Sequence, residues 1–124
     1  MNIPANYLPV MPYLVLDNAP EFLTYAKKVF GAVEQLIVPG EKERSIMHGE
    51  LKIGDAVIMF AQSNDNWKQK PAGIFIYVES VDRVYNAGIE QGGTSLQHPA
   101  KQEYGYAAGF EDPFGNQWWV NQPE

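Results

Sequence analysis

The chain has 124 residues, of which 45% are hydrophobic, 19% charged and 13% aromatic, with a formal net charge of −6 and no cysteine. That length suits one domain with a sizeable core, and that composition excludes a disordered or collagen-like chain. The absence of cysteine excludes disulfides, thiolate metal sites and a cysteine nucleophile, and the acidic balance without a basic stripe argues against nucleic acid as a partner.

No basic residue precedes the first apolar stretch, and the longest uninterrupted apolar run is 56–61. A secretory start and a membrane helix are therefore not expected, and the expected location is the cytoplasm.

In chain order, Met11 to Leu16 reads as a buried strand. Asp17 or Asn18 can cap a helix in which Pro20 and Glu21 suit the first turn. Phe22, Tyr25, Ala26, Val29 and Phe30 form its apolar stripe, and Gly31 ends it. Val33 to Val38 is a strand. Ser45 to Ile53 alternates, with Met47, Leu51 and Ile53 on one face and His48, Glu50 and Lys52 on the other. Gly54-Asp55 is a hairpin signal and Ala56 to Ala61 returns as a strand.

The polar segment 62–72 reads as a linker. Beyond it, Ile74 to Val78 is a strand. Ser80 caps a second helix with Val81, Val84, Tyr85, Gly88 and Ile89 as its stripe and Gly92-Gly93 as its stop. Gly88 inside a helix predicts close packing against its backbone. Strands follow at Thr94 to His98, Tyr104 to Glu111 and Gln117 to Asn121, with a turn at 112–116.

Both halves thus read β-α-β-β-β, and laying one on the other with an offset of 61 brings Gly31 onto Gly92 and the first hairpin turn onto the second. The expected architecture is α+β, a duplicated module: module one at 8–61, the linker at 62–72 and module two at 73–121.

This organisation resembles the vicinal oxygen chelate superfamily, which includes glyoxalase I, extradiol dioxygenases and the fosfomycin- and bleomycin-resistance proteins. The stretch from Ile46 to Asp55 is similar to the first hairpin of the PhnB-like branch, and Asp112-Pro113-Phe114-Gly115-Asn116-Gln117-Trp118 to its closing hairpin. Pro20 to Ala32 is similar to the family's first helix. The resemblance implies an open-sheet cleft and a homodimer. It also implies ligands for a divalent ion on the first and last strands of each module. Those positions carry Met11, Ile58, Ala72 and Trp119. Slipping by two residues offers Tyr13, Phe60, Ile74, and Gln117 or Asn121. The first four cannot hold a metal and the slipped register offers no set of ligands, so no metal and no cofactor is expected.

Candidate site residues come from two sources. His48 and Glu50 alternate on one strand face and are weak catalytic candidates. A two-residue turn would pair Leu51 with Ile58, and a three-residue turn would pair Glu50 with Ile58 and His48 with Phe60; the second is expected because it leaves Met47, Leu51 and Ile53 for the core under the helix, at less cost than burying Glu50 and Lys52 there, and turns His48 and Glu50 to the cleft. Phe60, Tyr104, Tyr106, Phe110 and Trp119 would then form an aromatic wall with His48 and Glu50 as ligand-binding residues. Trp67, alone in the linker, is expected to anchor that loop. The function expected is metal-free binding of a small aromatic or cationic molecule, as in bleomycin-resistance proteins. The alternatives are a metal-dependent lyase, isomerase or dioxygenase with a non-standard site at His48 and Glu50, and a non-catalytic regulatory or interaction domain.

Overall fold

The computed structural model describes residues 1–123. They form two compact units, 1–70 and 71–123. The fold class is α+β, with two βαβββ modules, each a mixed four-stranded sheet carrying one helix. Most of the segment expected as a linker belongs to unit one: Lys70 exchanges both backbone hydrogen bonds with Val15, and the Gln69 side chain accepts from the Asp17 amide at 2.8 Å.

Unit one contains β1 (Tyr13–Leu16), α1 (Ala19–Phe30), β2 (Val33–Pro39), β3 (Ile46–Ile53) and β4 (Ala56–Gln62), with sheet order β1-β4-β3-β2. β1 lies parallel to β4 and the remaining pairs are antiparallel. The stripe read from the sequence buries Phe22, Tyr25, Ala26 and Val29, together with Leu23. Each large apolar side chain so buried contributes roughly 1.5–3 kcal/mol. Gly31 ends α1 in the left-handed region at φ 69°, where a side chain would be strained.

The hairpin register differs from the expected one. Ile53 faces Ala56 across a two-residue turn, which pairs Leu51 with Ile58 and Gly49 with Phe60. Directly paired residues share a face. Leu14, Leu51, Ile58 and Phe60 therefore lie together under α1, where the Phe60 ring meets Phe22 edge-on at 5.4 Å. The shorter turn wins because it buries four apolar side chains on the helix side and leaves the polar alternates of β3 on the other. Phe60 is thus core, fully buried, and not part of an aromatic wall.

Unit two contains β5 (Gly73–Tyr77), α2 (Val81–Glu90), β6 (Thr94–Gln102), β7 (Gly105–Glu111) and β8 (Gln117–Gln122), in the order β5-β8-β7-β6. Its second hairpin pairs Glu111 with Gln117, so its turn has five residues where unit one has two. The odd difference reverses the faces of β8 and of β5 relative to a constant offset of 61. Trp118 and Val120 point to the helix, paired with Phe110 and Ala108. Trp119, which arithmetic laid on Ile58, points the opposite way.

Asp112 builds that five-residue turn. Its buried carboxylate accepts from the backbone amides of Phe114 and Asn116, from the Asn116 side chain and from the Trp118 indole, all at 2.8–2.9 Å. Burial raises its carboxyl above the usual value against the pull of these four donors. Asn116 in turn accepts from the Ala72 amide at 3.0 Å, tying the turn to the start of β5.

Each module has its own glutamine cap. The expected side-chain cap from Asn18 is not made. Instead Gln62, at the end of β4, accepts from the Ala19 amide at 3.2 Å and donates to the Asp17 carbonyl. Gln122, at the end of β8, accepts from the Val81 amide at 2.9 Å. In α2 the Ser80 side chain accepts from the Arg83 amide, as its sequence position predicts.

Two outcomes follow from this packing. Asp112→Ala strands four donors and is expected to cost roughly 3 kcal/mol or more in urea unfolding. Gly88→Ala places a Cβ about 2.6 Å from the Phe110 ring. It is expected to destabilise by roughly 1–3 kcal/mol although alanine is the better helix former. A stabilised Gly88→Ala protein in the same unfolding experiment would contradict the packing.

Candidate functional site

β3 carries His48 and Glu50 two residues apart on the face of sheet one turned away from α1. On that face a continuous chain of hydrogen bonds runs across three strands. The Tyr13 hydroxyl, from β1, lies 3.1 Å from Nδ1 of His48. Nε2 of His48 lies 2.8 Å from Oε2 of Glu50. Oε1 of Glu50 accepts from the Tyr7 hydroxyl at 2.7 Å and from the Gln35 amide at 3.0 Å. Tyr13 and Glu50 both flank Met59 of β4, so the pleat sets them in one row, and the ring of Tyr13 leans on His48 at 5.6 Å.

Gln35 reaches Glu50 because β2 is irregular there. The pairing register shifts between Glu34 and Leu36, leaving Gln35 as the extra residue of a bulge. Bulges re-aim side chains in this way. Gln35 also donates to the Asn6 carbonyl, so the segment ahead of β1 is held over the same carboxylate that Tyr7 touches.

Glu50 is only 3% exposed. Burial alone would raise its carboxyl; hydrogen bonds from His48, Gln35 and Tyr7, with the nearby imidazole, outweigh it and bring the group below the ordinary 4.5. The carboxylate also raises the Tyr7 phenol, whose proton it holds. An ionised Glu50 accepts only, so the neutral His48 ring carries its proton on Nε2. Its Nδ1 lone pair then accepts from Tyr13, which leaves the Tyr13 oxygen with free lone pairs.

Beside this chain is an open cavity of about 800 Å³, within unit one. Tyr13, Val15, Met47, Ala61 and Trp67 supply its apolar wall, and Glu41, Lys42 and Asp65 its charged rim. Trp67 is not a loop anchor. The Asn64 side chain holds that loop by accepting from the amides of Asn66 and Trp67, and the indole is 69% exposed at the cavity.

The other sequence candidates scatter. Phe60 and Phe110 are fully buried under their helices, Phe110 against Tyr85 at 6.2 Å. Tyr106 turns to α2, donating to Asp82 at 2.6 Å. Tyr104 lies in the turn before β7, 63% exposed. Trp119 is on the face of sheet two away from α2, over Gly109 and beside its strand partner Phe75. The expected wall is thus divided between two faces by the hairpin parity. The site residues not foreseen are Tyr7, Tyr13 and Gln35. Tyr13 was visible only as a register-slipped metal position.

The residues present do not fit the family's divalent ion. Met11 precedes β1, Ile58 is under α1 and Ala72 precedes β5. Among the described residues no three His, Cys, Asp or Glu side chains converge. His48 and Glu50 bind each other.

Glu50 gives a pH signature. A carboxyl lowered on folding contributes stability above its ordinary value, and that contribution is lost as pH falls through the folded value. Wild type is therefore expected to melt above Glu50→Gln near neutral pH, with the gap closing as pH drops below 4.5. Thermal melts followed by circular dichroism across that range check it; a gap independent of pH would contradict an ionised Glu50.

Comparison with known proteins agrees with this architecture. The uncharacterised protein Mb0911c of Mycobacterium bovis is 29% identical, across 90% of this chain and 81% of its own length. Rv0887c of Mycobacterium tuberculosis is 29% identical, across 90% of this chain and 72% of its own. Among solved structures, PA1353 from Pseudomonas aeruginosa superposes with a TM-score of 0.79 at 23% identity, covering 94% of this chain and 98% of that one. The PhnB protein from Bacillus cereus gives 0.77 at 18% identity, covering 93% and 99%. TioX from Micromonospora sp. ML1 gives 0.77 at 16%, covering 95% and 100%. These likenesses show the fold. No helix among the described residues is long and apolar enough to cross a membrane. The family model for the Glyoxalase/Bleomycin resistance protein/Dioxygenase superfamily matches residues 10–120, and the chain belongs to that superfamily.

Proposed function

We propose that the chain is a small-molecule-binding member of this superfamily whose ligand, aromatic or cationic, occupies the cavity of unit one. The observation that carries the reading is the pairing of two exposed rings, Tyr13 and Trp67, at one cavity of about 800 Å³. That volume suits a drug-sized molecule. Rings on an apolar wall bind flat or cationic groups by stacking and cation–π attraction, worth ~0.5–2 kcal/mol each. Glu41 and Asp65 on the rim outnumber Lys42 and favour a cation. The reading needs no metal, and it includes the homodimer that the family resemblance implies.

Titration with bleomycin and with a cationic acridine tests it, read by tryptophan fluorescence and by calorimetry. The expected result is saturable binding at micromolar concentration, weakened about tenfold by Trp67→Ala and unchanged by Trp119→Phe. Absence of saturable binding to either compound, or equal binding by the Trp67→Ala protein, would sink the reading. Sedimentation at the titration concentrations checks the dimer.

A further inference from the structure

We propose that Tyr13 is a nucleophile of this cavity, with His48 as its base and Glu50 as the group that positions His48, and that it accepts acyl groups from activated esters. The proposal rests on the cavity of the preceding reading but not on the identity of its ligand.

Three observations meet at Tyr13. Its ring lines the cavity and is 50% exposed, so a small electrophile reaches the hydroxyl. Its oxygen is 3.1 Å from His48 Nδ1, the nitrogen that the carboxylate leaves free to take a proton. Glu50, buried and 2.8 Å from Nε2, fixes the ring and stabilises the imidazolium once formed. Nucleophile, base and orienting carboxylate in hydrogen-bonded series are what activates an otherwise weak hydroxyl. A phenol ordinarily ionises near ~10, so without such a base little of it attacks at neutral pH.

The rest of the molecule supplies the contrast. A second tyrosine–histidine pair joins Tyr85 to His98 at 3.1 Å, but Tyr85 is 7% exposed and donates to Ser95. Tyr77 and Tyr104 are 65% and 63% exposed, more open than Tyr13, and among the described residues neither hydrogen-bonds to a histidine. Tyr106 is bound to Asp82, which raises its phenol. The ionisable groups bonded to His48 are Glu50 from its own strand and Tyr13 from β1, while Tyr7, from the segment ahead of β1, and Gln35 of β2 reach the carboxylate of Glu50.

With 4-nitrophenyl acetate the step is balanced. The Tyr13 oxygen bonds to the acyl carbon while its proton passes to His48 Nδ1. The carbonyl re-forms as 4-nitrophenolate leaves, and the proton on His48 is released to solvent. The product is O-acetyl-Tyr13.

The test measures acetylation of Tyr13, Tyr77 and Tyr104 in one sample by peptide mass spectrometry, using the full chain. The expected result is that Tyr13 acetylates at least about a hundredfold faster than the two reference tyrosines, the low end of what a positioned base supplies. His48→Gln is expected to bring Tyr13 down to the reference rate, and Glu50→Gln to lower it partway. Melting curves accompany both variants. The comparison among tyrosines in the wild-type chain needs no variant and stands if either fails to fold. Equal rates at the three tyrosines overturn the proposal. So does a Tyr13 rate indifferent to His48→Gln, or undiminished nitrophenolate release by Tyr13→Phe, which would make His48 the nucleophile. Failure of the bleomycin and acridine titrations with fast Tyr13 labelling intact would remove the binding reading alone.

Discussion

In unit one a pleated strand can show its even residues to the helix or its odd ones, and the length of one turn decides which. With Ile53 facing Ala56, Leu51 and Ile58 must share a face. Because β1 runs parallel to β4 in the matching register, Leu14 joins them and Tyr13 is sent to the other side. Everything chemical in this unit depends on that sorting. It puts Leu14, Leu51, Ile58 and Phe60 under α1, and it leaves a histidine, a glutamate and a tyrosine together on the opposite face, where they bond in series. A single inserted residue in the turn would set Glu50 opposite Ile58 and mix the two sets on each face.

Burying Glu50 is costly, and the fold answers that cost with donors drawn from separate parts of the chain. One comes from its own strand, one from a bulge in the neighbouring strand and one from the segment ahead of β1. A carboxylate desolvated but ringed by donors stays ionised, and an ionised neighbour dictates the tautomer of His48. Asp112 in unit two is the instructive counterpart. It too is buried and ringed by donors, but all of them come from its own turn and the strand that follows. One acid organises a loop; the other organises a face.

The elements were legible because each carries local signals: the helical stripes from Phe22 and Val81, the alternation of β3, and the glycine stop at Gly31. Gly88 was legible as a close approach, and the structure supplies the ring, Phe110, that comes near it. The faces were less legible. The choice between turns was open in the sequence, and a constant offset concealed that the second hairpin loop is longer than the first. Hence Phe60, Phe110 and Trp119 read as one aromatic wall although no single face holds them. Tyr13 and His48 are separated in the sheet by β4, and nothing in the string of residues says that their side chains meet above Met59. Gln35 depends on a bulge with no glycine or proline to mark it.

The glutamines at the ends of β4 and β8 have a wider consequence. Each reaches from the last strand of its module to the first amide of that module's helix. The first strand of each module also lies parallel against the last. Each module therefore brings its own beginning and end together and closes on itself. Nothing inside either one records which came first in the gene. Evolution could have exchanged their order, or copied either of them alone, without breaking a single one of these internal ties.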